Sequence, residues 1–325
     1  MINTMISRWA TPWSEEGWFP CYEVGPQKPA PRLALVADLH GNELNGMFVL
    51  SRLAAFLRSI DLNEQPGLRL RERVVLVPTA NILQASDAGA ARQRVGIGRY
   101  RSMGAAATEA LVAVTRTAYY RVDINQISPD VEEMPQVRLY APSDDERATA
   151  CLFGLPAVIE RPMEPGAASD LACAWRRQGG ENFSIHAGQA GRVQTRHCET
   201  LFKALVSFLD RTGIVSGLSP TDEEEELRYF DLRQIFVVLA KQSGIFSSRL
   251  EVGRWVREGE VLGLIHDGLT GNTRTQVLAP VTGLLASLRQ QPLLCKGELL
   301  ARILVPASGP GRQAIGRATW PRDRS

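Results

Sequence analysis

The chain has 325 residues, 44% hydrophobic and 22% charged, which is enough apolar material for more than one core. Its net charge is only +2, so composition gives no reason to expect a nucleic-acid or membrane partner. No apolar run approaches the ~20 residues of a membrane helix, and the stretch with Trp9, Trp13, Glu15 and Glu16 has no secretory core. Five scattered cysteines (Cys21, Cys151, Cys173, Cys198, Cys295) without a C-x-x-C pair point to reduced thiols in a cytoplasmic protein.

Residues 1–30, containing Trp and Pro, predict an irregular or short-strand lead-in. The apolar run Leu33–Val36 predicts a strand buried on both faces. It ends at Asp38 and is followed by a tight turn carrying His40, Gly41, Asn42 and Glu43. A helix is predicted from near Asn45, with Met47, Phe48, Leu50, Leu53 and Leu57 on its apolar positions. Further strands are expected at Arg73–Pro78, Tyr119–Ile124, Ala157–Ile159 and Phe183–Ile185. Helices are expected over Ala105–Thr117, Ala167–Arg177 and Glu199–Leu209. Strands alternating with helices define an α/β domain over residues 31–220 with a parallel or mixed sheet.

The acidic run Asp222–Glu226 reads as part of a linker over 221–235. Residues 236–306 change to short strands with Gly turns, predicting a small all-β domain. Val256–Ile265 and Leu294–Ile303 share Gly-Glu, Leu and Ile at matching offsets, a half-repeat like that of lipoyl and biotinyl domains. The hairpin those carriers modify reads Leu278-Ala279-Pro280 here, without Lys, so no swinging arm is expected. Residues 307–325, with Arg312, Arg317, Arg322 and Arg324, predict a disordered basic tail.

His40 and Glu43 fall at the carboxyl end of a strand, where open α/β sheets place their ligands. An imidazole and a carboxylate three residues apart can close on one divalent ion, and two His with one Glu is a catalytic zinc set. A turn histidine beside a helix-start glutamate would give the same letters.

Strand, His40-Gly41-Asn42-Glu43, Asn45-Gly46 and helix together resemble the opening motif of the succinylglutamate desuccinylase/aspartoacylase family, a branch of the zinc-carboxypeptidase superfamily. The resemblance covers about residues 30–305. It implies a zinc-carboxypeptidase-like mixed sheet flanked by helices, followed by a small β domain. It also implies hydrolysis of an N-acyl amide by a zinc-bound water. In that family an Arg and an Asn-Arg pair beyond an Asn-ending strand grip the substrate. Here Asn81, Arg92 and Arg99 fall in that region, with Gly98 in place of the pair's Asn, which keeps an anionic small-molecule substrate in view. The strand ending Asp-x-His, whose His is a zinc ligand, corresponds to Asp123-Ile124-Asn125, so Asn125 stands at the ligand position. The strand bearing the general-base Glu corresponds to Ser184-Ile185-His186-Ala187-Gly188, so His186 stands at the base position.

The resemblance therefore implies one zinc held by His40, Glu43 and Asn125, or by His186 in place of Asn125, with His186 and Arg99 as the catalytic candidates. An Asn oxygen is a poor donor to zinc. His186 reads equally as a ligand displaced from the neighbouring strand, as a base with an ordinary pKa near 6.5, or as a satisfied core histidine. Of the other two histidines, His197 lies at a helix start and His266 is expected to cap a turn. Three functions stay open: a zinc-dependent hydrolase of an N-acyl amino acid or similar anionic amide, a degenerate relative that binds a small ligand or protein without hydrolysis, and an enzyme of altered chemistry on the same scaffold.

Overall fold

A computed structural model describes residues 3–10, 16–28, 30–80, 105–126, 128–164, 168–218 and 228–306. The lead-in is a hairpin of two strands, β1 (Asn3–Ala10) and β2 (Glu16–Val24). The central strands are β3 (Leu33–Ala37), β4 (Val74–Val77), β5 (Tyr120–Asn125), β6 (Val131–Tyr140), β7 (Ala157–Arg161) and β8 (Glu181–Gly188). Helices α1 (Leu44–Asp61), α2 (Ala105–Thr115), α3 (Asp144–Ala150), α4 (Asp170–Arg176) and α5 (Thr195–Arg211) alternate with them. The sheet runs β1-β2-β4-β3-β5-β8-β6, with β4, β3, β5 and β8 mutually parallel and β6 antiparallel to β8.

Each face of this sheet is covered. Leu33, Leu35, Val122, Ile124, Phe183 and Ile185 pack with Leu50, Leu53 and Leu57 of α1 and Leu201, Leu205 and Phe208 of α5. On the other side Ala34, Val36 and Val77 pack with Leu111 of α2 and with Leu171 and Trp175 of α4. Burial on both faces is why β3 reads as continuous apolar sequence rather than as an alternation. No helix among the described residues is long and apolar enough to cross a membrane.

The segment read as a linker is in part ordered. Asp222–Glu226 lie outside the described residues, but β9 (Arg228–Phe230) pairs in parallel with Ala157–Ile159. The C-terminal run is all strand, as expected: β10 (Ile235–Leu239), β11 (Gly244–Ser247), β12 (Val261–His266), β13 (Thr273–Leu278), β14 (Gly283–Arg289) and β15 (Leu299–Leu304). It has its own core, including Phe246, Leu262, Ile265, Leu285 and Ile303. Only part of it is a separate sheet: β13, β12 and β11, with Leu293–Leu294, form a four-stranded antiparallel sheet of their own, while the other strands do not. Ser287, Leu288 and Arg289 pair with Glu133, Glu132 and Val131 of β6, so β14, β15 and β10 extend the central sheet. Met134, Ala157 and Ile159 contribute to the same C-terminal core, which couples the two halves through β6 and β7.

Candidate functional site

The site begins where β3 ends. Asp38 leaves the strand with φ 54 and Gly41 follows with φ 75. Both are left-handed conformations, which Asp tolerates and Gly favours. This reversal folds the carboxylate of Asp38 back over the turn. Its Oδ1 accepts the Glu43 N–H at 3.0 Å and its Oδ2 accepts the Thr79 hydroxyl at 2.7 Å. Glu43 is fully buried. One of its oxygens accepts the Gln126 N–H at 2.8 Å, while the other accepts the His40 N–H at 3.2 Å and faces His40 Nδ1 at 3.2 Å. Glu43 therefore ties the turn to the end of β5. The sequence-predicted pair does meet, and His40 keeps about a quarter of its side chain in solvent.

Asp123 is the hub of the neighbouring face. It accepts the Ser184 hydroxyl in a short bond, the Ser169 hydroxyl at 3.0 Å and the Asn125 amide at 3.0 Å. Asn125 and His186 are register partners across β5 and β8, so both stand at strand ends on the Asp123 face. His186 is buried, and neither ring nitrogen has a hydrogen bond among the described residues. Its Nδ1 lies 3.6 Å from Glu133, which in turn pairs with Arg138 at 2.6 Å and Arg302 at 3.2 Å. A register shift between Glu133 and Gln136 in β6 sets this side chain opposite β8.

These surroundings set the charges. Burial, then the Arg138 guanidinium, hold the His186 imidazole below its ordinary pKa against the pull of Glu133 and Asp123. Burial also works against a charged His40, but the Glu43 hydrogen bond and the carboxylates of Glu43, Asp123 and Asp38 outweigh it and raise that pKa. Burial pushes the Glu133 carboxyl up, yet Arg138, His186 and Arg302 override it and hold it far below the carboxylate range.

The two histidines should leave opposite marks on stability. A raised pKa at His40 contributes stability that is fully present below 6.5 and is lost as pH rises through its folded value. A depressed pKa at His186 contributes stability present above 6.5 and lost as pH falls through its folded value. Urea midpoints measured across pH should therefore fall on both sides of 6.5. His40→Asn should flatten the alkaline limb alone, and His186→Asn the acid limb alone. Unchanged slopes in both variants would refute the assignment.

The zinc that the resemblance implies can be tested against these donors. Two ligands on one tetrahedral ion stand about 3.3 Å apart for metal–donor bonds of ~2.05 Å, and His40 Nδ1 and Glu43 meet that spacing. A structural or catalytic zinc needs at least a third protein donor. Among the described residues no group of three His, Cys, Asp or Glu side chains is disposed to hold a metal. At the third position the Asn125 N–H₂ donates to Asp123, so only its neutral Oδ1, a poor donor to zinc, could face an ion, and His186 belongs to the Glu133–Arg138 cluster. Among the described residues, therefore, no third strong donor stands beside His40 and Glu43 to complete a zinc site.

Asn81, Arg92 and Arg99 lie outside the described residues. His197 is a buried residue of α5 whose Nε2 meets Glu132 at 2.6 Å. His266 does not cap its turn: its ring nitrogens face the Ser247 and Thr273 hydroxyls, and Asp267 does the capping by accepting the Leu269 and Thr270 N–H groups. Burial pushes the Cys21 thiol up to about 12, the reverse of an activated nucleophile. Sequence reasoning missed Gln126, Glu133 and Arg138. The available signal was weak: Glu132, Glu133 and Arg138 stand among Val131, Met134, Val137 and Leu139, a mixture that reads as a polar loop.

A three-layer α/β domain carries the histidine–glutamate turn at the exit of β3 and is followed by an all-β extension. No family profile matches the sequence, and no curated protein does. Solved structures do match: a succinylglutamate desuccinylase/aspartoacylase from Rhodobacter sphaeroides has a TM-score of 0.69 at 18% identity, over 94% of this chain and 96% of that one. The ectoine utilization protein EutE (DoeB) from Ruegeria pomeroyi, in a product-bound structure, has 0.69 at 19% identity over 94% and 95%. An aspartoacylase family protein from Mesorhizobium loti has 0.69 at 18% identity over 95% of both chains. The chain carries the fold of the succinylglutamate desuccinylase/aspartoacylase proteins.

Proposed function

We propose that the protein is a divergent member of this family that takes a small anionic amide, of the N-acyl amino acid type, at the partly exposed His40 turn and binds it without hydrolysing it by a zinc-bound water. The observation that carries this reading is the joint change at Asn125 and His186. Asn125 offers a metal only a neutral amide oxygen, a poor donor to zinc, while its N–H₂ donates to Asp123, and the imidazole at 186 stands where the resemblance expects a carboxylate base. Glu43 supports it too, since each of its carboxylate oxygens already accepts a backbone N–H.

A second reading rests on a separate observation. A buried imidazole held neutral, with neither nitrogen hydrogen-bonded among the described residues and Nδ1 facing the Glu133 carboxylate at 3.6 Å, has a lone pair to offer a metal or a proton. In that reading the protein is a metal-dependent deacylase whose His186 has replaced Asn125 beside His40 and Glu43, and Arg99 or Arg92 orients the anionic group.

Elemental analysis of the purified full chain, before and after zinc is supplied, separates the two, together with turnover of an N-acyl amino-acid panel. The first reading expects zinc well below one per chain and no hydrolysis, with binding seen as a saturable thermal shift. About one zinc per chain, lost in His186→Ala and accompanied by turnover, would replace it with the second.

A further inference from the structure

Between β6 and the C-terminal strands β14 and β15 lies a cavity of about 20 Å³, room for one or two water-sized groups. Arg138, Arg161, Arg302, Glu133, Gln136 and Ser287 supply its polar wall. The charges do not cancel. One Glu133 oxygen serves both Arg138 and Arg302, so a single carboxylate faces three guanidinium groups. The Arg161 guanidinium forms no hydrogen bond or ion pair with a described residue. Two uncharged groups are also left over: Gln136 Oε1 and Ser287 Oγ are buried without a hydrogen-bond partner, each on a residue about 1% exposed.

Polar groups in an interior are ordinarily paired, and the half-buried Arg161 and Arg302 guanidinium groups leave positive charge in excess of the one carboxylate beside the two buried orphan groups. Excess positive charge and two orphan groups on one wall together have a single simple remedy, an anion with more than one acceptor oxygen. We propose that this cavity binds a small carboxylate, held by the Arg161 and Arg302 guanidinium groups and by the Ser287 hydroxyl and Gln136 carboxamide. A guanidinium fork matches the two oxygens of a carboxylate. Rotation of the Gln136 carboxamide exchanges its oxygen for the N–H₂ and turns an orphan acceptor into a donor. The volume admits a carboxylate head with one or two carbons, and excludes a whole acyl amino acid. The site is distinct from the His40 turn and stands whether or not that turn binds metal. It approaches that site at one place, because Glu133 faces both the cavity and His186.

The full chain, dialysed into low-chloride buffer, is titrated with sodium acetate and with sodium chloride at fixed ionic strength, with thermal unfolding and calorimetry as readouts. Acetate should raise Tm saturably and bind about tenfold more tightly than chloride, the ratio that ~1.4 kcal/mol provides. Arg161→Gln should bind acetate at least about tenfold more weakly, as loss of a charged hydrogen bond predicts. Without acetate the same variant should melt no lower than the wild type, since it removes the charge that lacks a partner. That second readout separates an anion site from an arginine that only supports packing. A non-saturable acetate response, equal binding by Arg161→Gln, or chloride matching acetate would each overturn the proposal.

Discussion

Asn125→His combined with His186→Glu should convert the protein into one that retains about one zinc per chain, at least about a hundredfold more tightly than the parent, or ~2.7 kcal/mol. The expectation follows from register. Asn125 and His186 are paired directly across the parallel strands β5 and β8, and β5 is the neighbour of β3, from which His40 and Glu43 issue. The exchange therefore moves the imidazole one strand nearer the existing pair and puts a carboxylate where the resemblance expects the base. Two features oppose it. The amide of Asn125 would no longer donate to Asp123, which still has Ser184 and Ser169. A carboxylate at 186 would also face Glu133, though Arg138 and Arg302 already compensate that charge. Asn125→His alone should give part of the gain, because the third donor is what the metal lacks. A competition titration against a chromophoric chelator reads the affinity. If the double variant gains nothing, position 125 does not face the metal and the resemblance fails at that strand.

The parts of this molecule that were legible in the sequence are those whose determinants are local. Leu33–Ala37 and Val74–Val77 are buried on both faces and therefore spell themselves out as apolar runs. Helix α5 shows its amphipathic face at helical spacing, with Leu201, Leu205, Phe208 and Leu209 buried. The His40–Glu43 pair was legible for the same reason, since one turn makes it. Strand β6 was not, because VEEMPQVRLY looks like a polar loop until its partners are supplied from elsewhere. Glu132 is matched by His197 and Glu133 by Arg302, residues remote in the chain. The register shift that turns Glu133 toward His186 has no local signature. One missed element did announce itself: Ser143 and Glu146 form a capping box at the start of α3, and the S-x-x-E spacing is visible in the sequence. The C-terminal strands were readable one by one, but a hydrogen-bonded seam such as β6–β14 depends on pairing that no periodicity encodes.

Gly188→Ala should be strongly destabilising, costing about 3–5 kcal/mol against an ordinary stability of ~5–15 kcal/mol. Gly188 ends β8 with φ +86, and a Cβ there would run into the side-chain amide nitrogen of Asn45 and the side-chain oxygen of Gln194. Those two groups pin together the starts of two helices. Asn45 at the start of α1 donates to the Ala187 carbonyl at 3.3 Å, and its side-chain oxygen accepts the Gln194 N–H, just ahead of α5, at 2.7 Å. The Asn45 N–H donates to Gln126 at 2.6 Å, and the Gln126 N–H donates to Glu43 at 2.8 Å. Pushing Asn45 aside therefore leaves buried amides unpaired as well as straining the backbone, and an unpaired buried amide costs about 1–3 kcal/mol on its own. Gly213→Ala provides the control. Gly213 has φ +71 with nothing near its missing Cβ, so it should lose only the ~1–2 kcal/mol of left-handed strain. Urea unfolding of both variants isolates the network, since strain is common to the two. Equal losses would mean that Asn45 and Gln194 yield freely. A larger loss at Gly188 would mean that the turn carrying His40 and Glu43 is held in place from β8, two strands away, so that its shape is fixed before any ligand arrives.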